Sequence, residues 1–195
     1  MARSSTKGGF RPFGPVLSAR MYPVATTYGT AIFKGDLVKR VAGGTVEIFD
    51  AAGNAPTCIG AVLGVFESVN QKPGIGKTYH VASATGDGTY ACYVLVADHP
   101  DQLYYVEEDA VGDPLELADR GQNCDYATGT GDTTTGLSGA VIDSSEHNTT
   151  ATTDLKIIDV YPEDYGEIST TAETSYVRWI VKINAHALAD NIAGI

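Results

Sequence analysis

Apolar residues in this chain recur at every second position or in short unbroken runs, with no sustained spacing of three to four. The clearest case is SYVRWIVKI at 175–183. There Val177, Trp179, Val181 and Ile183 alternate with Tyr176, Arg178, Ile180 and Lys182, the period of a strand with one buried face. TVEIF at 45–49 alternates in the same way, and Gly43-Gly44 before it predicts a tight hairpin from DLVKRV at 36–41. AIF at 31–33 reads as the start of that same strand, interrupted at Gly35. TCIGAVLGVF at 57–66 is almost continuously apolar and short, with Gly60 and Gly64 inside it. It predicts a buried strand that other backbone approaches closely. Further strands are expected at 17–22, 78–82, 89–97, 103–108 and 155–161, with a loop marked by Pro73, Gly74 and Gly76 and a hairpin at Gly86-Asp87-Gly88. Asp113-Pro114 opens a short helical turn through Leu115–Arg120. No repeat of 20–50 residues emerges. The expected fold is all-β, an antiparallel sandwich or barrel of about eight to ten strands.

Charge divides the chain. Residues 1–40 hold Arg3, Lys7, Arg11, Arg20, Lys34, Lys39 and Arg40 against Asp36 alone, which leaves -17 on the remaining 155 residues of a chain whose net charge is -11. Residues 1–20 therefore read as an extended basic N-terminal arm, kept from helix by Pro12, Gly14 and Pro15, with Phe10 and Phe13 as apolar anchors. Residues 21–195 read as one β-rich domain carrying a long Thr/Gly/Ser loop near 121–154. Ordering an arm of about 20 residues costs on the order of 20 kcal/mol of backbone entropy. At roughly 25 cal/mol per Å², that needs about 800 Å² of apolar burial. An arm of this kind calls for a large, fixed surface to lie on. Arg3, Lys7, Phe10, Arg11, Phe13 and Arg20 are its candidate contact residues, and its removal is expected to leave a folded body.

Familiar catalytic and ligand-binding spacings are not found. PGIGKT at 73–78 resembles the tail of a phosphate loop, but Gln71 stands where the first glycine belongs and a strand, not a helix, follows. His80, His99, His147 and His186 lack metal-ligand spacing, and no G-x-S-x-G occurs. Glu107, Glu108, Asp109 and Asp113 lack the calcium-loop pattern and read as a solvated acidic loop. Cys58, Cys92 and Cys124 are odd in number and far apart, with Cys58 and Cys92 inside apolar runs, so buried reduced thiols are expected rather than a disulfide framework or zinc site. No apolar run is long enough for a membrane helix, and no secretory leader is expected. The acidic balance argues against coating nucleic acid. Neither catalysis nor a cofactor is expected.

The order of segments carries a resemblance. GAVLGVFESV precedes YVLVADHPDQLYYVEED; GQNCDYATGTGDTTTGLSGAVIDSSE and TTATTDLKIIDVYPEDYGE follow, and SYVRWIVKINAHAL closes the series. Together these segments, over about residues 60–188, resemble the head decoration, or cement, proteins of tailed bacteriophages. The resemblance implies a β-rich structural virion protein on the outer surface of a capsid, assembled in the host cytoplasm. Its implied partners are a major capsid protein of the HK97-like fold and neighbouring copies of itself, often as a homotrimer. Under that reading the arm is a strap across capsid or neighbouring subunits, and the Thr/Gly/Ser stretch at 127–139 sits at a subunit junction. A β-sandwich glycan-binding module, using some of the 11 tyrosines as a platform, is the alternative, and a small hydrolase a more distant one.

Overall fold

The computed structural model describes residues 5, 6, 8–50, 58–149, 153–168, 176–184 and 186–189. Among the described residues the strands are β1 (Arg11–Phe13), β2 (Ala19–Ala25), β3 (Leu37–Arg40), β4 (Val46–Ile48), β5 (Cys58–Val69), β6 (Lys72–Lys77), β7 (Tyr90–Ala97), β8 (Leu103–Glu107), β9 (Asn123–Cys124), β10 (Tyr126–Ala127), β11 (Val141–Ile142), β12 (Leu155–Val160) and β13 (Arg178–Ile183). Helical structure among the described residues is limited to three short 3-10 turns, one of them, Leu117–Asp119, inside the expected turn. The all-β antiparallel class is therefore correct. Thirteen strands replace the expected eight to ten because β1, β6 and β9–β11 are short pieces inside stretches that read as arm or loop.

The strands make two main layers. One is a five-stranded sheet in the order β1-β8-β13-β12-β9; the other, of six strands, runs β2-β7-β5-β3-β4 with β6 paired to the far end of β5. β10 and β11 form a separate ribbon. The larger layer curls on itself, so that Tyr28, just beyond β2, accepts a hydrogen bond through its hydroxyl from the Ile48 N–H of β4 at 2.9 Å. Val24, Val38, Ile59, Val62, Val65, Val94 and Val96 fill the inside of the curl. The opposite face contributes Leu37, Cys58, Ala61 and Ala97 to a second core, shared with Tyr104, Leu155, Ile157, Trp179 and Val181 of the five-stranded sheet. Neighbouring residues such as Leu37 and Val38 of β3 or Cys58 and Ile59 of β5 thus enter different cores, which is why the inner part of β5 runs apolar.

Close approach requires glycine at one place above all. Gly60 has φ +134°, and a side chain there would collide with the Ala97 carbonyl of β7. Removing the side chain lets β5 cross β7 with Tyr104 Oη donating to that carbonyl at 2.7 Å.

The N-terminal segment is part of the body. β1 is the edge strand of the five-stranded sheet, paired Arg11 to Tyr105 and Phe13 to Leu103. The boundary expected after residue 20 falls inside β2. The stretch from 121 is also stitched down. β10 and β11 pair, Ser138 N donates to the Lys34 carbonyl at 2.8 Å, and the Ser138 hydroxyl donates to Asp36. Segment 78–82 is not a strand; within it His80 makes one bridge to Ile32.

Candidate functional site

The most exposed large apolar side chain in the described structure lies on the hairpin that the sequence marks as a loop. β5 and β6 are joined by Asn70-Gln71 alone, with φ +51° and +59°. A two-residue turn with both central φ positive matches the twist of the flanking strands, and it ordinarily carries glycine at one of the two positions. Glutamine there needs compensation, and Asp87 supplies it. Its carboxylate accepts from Gln71 N (2.5 Å), Ser68 Oγ (2.8 Å), Thr89 N (2.9 Å) and Tyr90 N (3.0 Å). Tyr93 Oη donates to the Gln71 carbonyl at 2.6 Å. These donors, the Tyr90 N–H foremost, hold the Asp87 carboxyl well below the usual carboxylate range.

The result is a fixed projection. Ile75 is 76% exposed and Val69 about half exposed, with Lys72 and Lys77 at the two ends of β6. Pro73 lies within the strand, which an edge position permits. It also removes a donor from that edge, so a partner would dock on side chains rather than add a strand. Full burial of Ile75 is worth about 1.5–3 kcal/mol.

The six residues expected at the contact surface are dispersed. Arg3 and Lys7 lie outside the described residues. Phe10 is 1% exposed and fills the chain's own core, edge-on to Tyr104 and Tyr126. Arg11 is exposed on β1. Phe13 packs edge-on against Tyr161, with 6.0 Å between ring centres. Arg20 lies on the other sheet, its Nη1 3.3 Å from the buried carboxylate of Asp98, which also accepts from Tyr22 Oη at 2.7 Å. The anchor that the sequence offers to a partner is thus used within the chain. The acidic run is likewise not a solvated loop throughout. Glu107 and Glu108 are buried, and Glu108 accepts from Leu115 N at 2.9 Å while burial pushes its carboxyl up to about 7.

A cleft of about 500 Å³ opens between β3–β4 and the 126–140 segment, lined by Tyr28, Phe33, Asp36, Lys39, Asp50 and Tyr126 among others. Its groups are engaged within the protein. Asp36 accepts from Phe33 N at 2.7 Å and from the Ser138 hydroxyl, and burial raises its carboxyl to about 6. Lys39 Nζ is 2.5 Å from Asp50. Phe33 is covered by Tyr79 on one face, at a 4.9 Å ring separation, and by Gly131 on another side. Tyr28 stacks on His80 and Tyr126 on Phe49. His80 is buried, which pushes its imidazole down to about 4. Cys58, Cys92 and Cys124 are buried free thiols, and burial pushes Cys58 and Cys92 up to about 12. Among the described residues no group of three or more His, Cys, Asp or Glu is arranged to hold a metal ion. None of the helices among the described residues is long and apolar enough to cross a membrane.

Sequence reasoning missed the hairpin because Pro73, Gly74 and Gly76 are turn-formers, and an edge strand tolerates them. The usable signal was the two-residue spacing between Val69 and Lys72. No family model, curated protein sequence or solved structure matches the chain.

Proposed function

We propose that the protein is a structural subunit that binds the outer surface of a tailed-phage capsid and bridges neighbouring capsid subunits, stabilising the head. The observation that carries the reading is the β5–β6 hairpin, which holds Ile75 out in solvent on a turn fixed by Asp87 and Tyr93. A side chain held this way loses little entropy when it docks, which favours a contact surface. The order of segments resembling phage decoration proteins supplies the kind of partner, a major capsid protein of the HK97-like fold. One such contact is weak, but many copies fixed on one shell raise the effective concentration of each neighbouring contact. The acidic body then faces solvent and keeps the free subunit soluble.

The test is co-sedimentation of the purified chain with heads assembled without it, followed by thermal release of the packaged DNA. The expected result is saturable coating and a higher release temperature. Ile75→Asp is expected to weaken coating by about 10-fold or more while leaving the folded subunit's unfolding midpoint unchanged. Coating unaffected by Ile75→Asp removes the hairpin from the contact. No coating by the native chain refutes the capsid reading.

A further inference from the structure

Ser5, Thr6, Phe10 and β1 are held by residues distant in sequence. Glu107 clasps the start of this segment, accepting from Ser5 Oγ (3.0 Å), Thr6 N (3.1 Å) and Thr6 Oγ1 (2.5 Å). Phe10 plugs the core beside Tyr104 and Tyr126, and its N–H donates to the Gly35 carbonyl at 2.8 Å. β1 then completes the sheet along β8. Clasp, plug and strand form a continuous seat built from residues 35, 103–107 and 126.

The link between this segment and β2 has a different character. Gly14, Pro15, Val16 and Leu17 are all exposed, Gly14 has φ +78° with open space around it, and Val16, Leu17 and then Met21 present apolar side chains to solvent. Leu17 N donates to Gln102 Oε1 at 2.9 Å, and the Ser18 carbonyl accepts from Asp98 N at 3.1 Å, which fixes the end of the link to the body. The turn at Gly14-Pro15 is what folds β1 back onto its own chain. If that turn opens, every contact in the seat can be made in identical form on the next copy, because the seat and the segment are the same in each molecule. Only the link differs between the two arrangements. Residues 1–20 carry four basic and no acidic residues and residues 41–195 carry -17, so a neighbour's body offers the arm the same opposite charge as its own body does.

We propose that residues 5–13 are exchanged between copies of this chain, each Phe10 plugging the core of its neighbour, with Gly14–Leu17 as the hinge. Val16 and Leu17 are covered where two chains cross. This inference stands on the seat and the hinge and does not depend on the capsid reading, because it is tested on the free protein.

Phe13 and Leu103 are register partners in β1 and β8. Directly opposed Cα atoms in an antiparallel pair lie about 4.5–5.5 Å apart, within reach of a disulfide. The full chain carrying Phe13→Cys is mixed with the full chain carrying Leu103→Cys, at concentrations up to the solubility limit, then oxidised and run on non-reducing denaturing gels. Wild-type chain, with its three buried cysteines, is the control. Exchange gives a covalent heterodimer that appears only in the mixture and disappears on reduction. The double variant Phe13→Cys/Leu103→Cys on one chain gives covalent dimers or larger rings. A double variant that runs wholly as an internally bridged monomer, with no heterodimer in the mixture, overturns the proposal. Should either single variant lose its far-UV spectrum, Arg11→Cys with Tyr105→Cys reads the same pairing at the other end of β1. Replacing Gly14–Leu17 by a longer Gly/Ser link is expected to shift the population back to the closed monomer in sedimentation velocity.

Discussion

The two halves of β5 are one continuous strand with opposite roles. From Cys58 to Val65 it pairs first with β3 and, from Ala61 on, with β7, with Cys58 and Ala61 in one core and Ile59, Val62 and Val65 in the other. From Phe66 to Val69 it runs out past β3, pairs with β6 and, as far as Glu67, with β7, and ends half exposed at Val69. The inner half is fixed by burial on two sides. The outer half is fixed by its ladders to β6 and the start of β7, and at its turn by polar contacts from the Asp87 carboxylate and Tyr93 Oη. A rigid projection therefore needs no core of its own if its turn is tied to the segment that leads into β7.

Gly60→Val is the harshest test of the inner half. The new side chain meets the Ala97 carbonyl at a φ that L-residues rarely adopt, and β5 and β7 must separate in the middle of both cores. The expected loss is about 3 kcal/mol or more in denaturant unfolding, or failure to fold. A near-native midpoint would show that the double burial of this half is less tightly coupled than its packing implies.

Asp36 sharpens the comparison with a smaller effect. Its carbonyl accepts from Val62 N at 2.9 Å, so it helps to register the inner half, while its carboxyl sits buried with a raised pKa of about 6. The folded state then keeps this proton up to about pH 6, whereas the unfolded chain releases it near the ordinary value of 3.8. Stability contributed by that proton is complete below pH 4 and is lost as pH rises through 6. Asp36→Asn cannot ionise. Relative to wild type it should therefore gain on the order of 2 kcal/mol between pH 4 and 7, read as the difference between the two stability profiles. Taking the difference removes the opposing contribution of His80, whose depressed pKa makes the fold gain stability as pH rises over the same window. Parallel profiles would place Asp36 in a wetter site than its burial indicates.

Asp87→Ala should have the smallest effect on the whole and the largest on the outer half. Gln71, Thr89 and Tyr90 lose an acceptor for their N–H groups, so amide exchange there should rise toward loop rates while the amides of Ile59–Val62 keep their protection. Equal loosening in both halves would contradict the division drawn between them.

Much of this fold can be read from the residues. Val177, Trp179, Val181 and Ile183 alternate in the sequence and are buried, Val177 just before β13 and the others within it, and the Gly43-Gly44 hairpin pairs β3 with β4. The apolar run from Cys58 is correctly a largely buried strand, and Gly60 does mark close backbone approach. The hairpin at Asn70-Gln71 was legible only as a spacing, because Asp87, which stabilises it, lies 16 residues away. Phe10 looked available because a lone aromatic between basic and turn residues gives no sign of which surface it will meet.

Sequence by itself determined the class and most strands, because side-chain periodicity and turn chemistry act between near neighbours and are written in order along the chain. Tertiary structure alone decided that Phe10 is buried beside Tyr104 and Tyr126, that Glu107 and Glu108 are buried rather than solvated, and that Ile75 stands free. Those outcomes depend on which distant segments meet, and no local pattern of residues encodes that meeting.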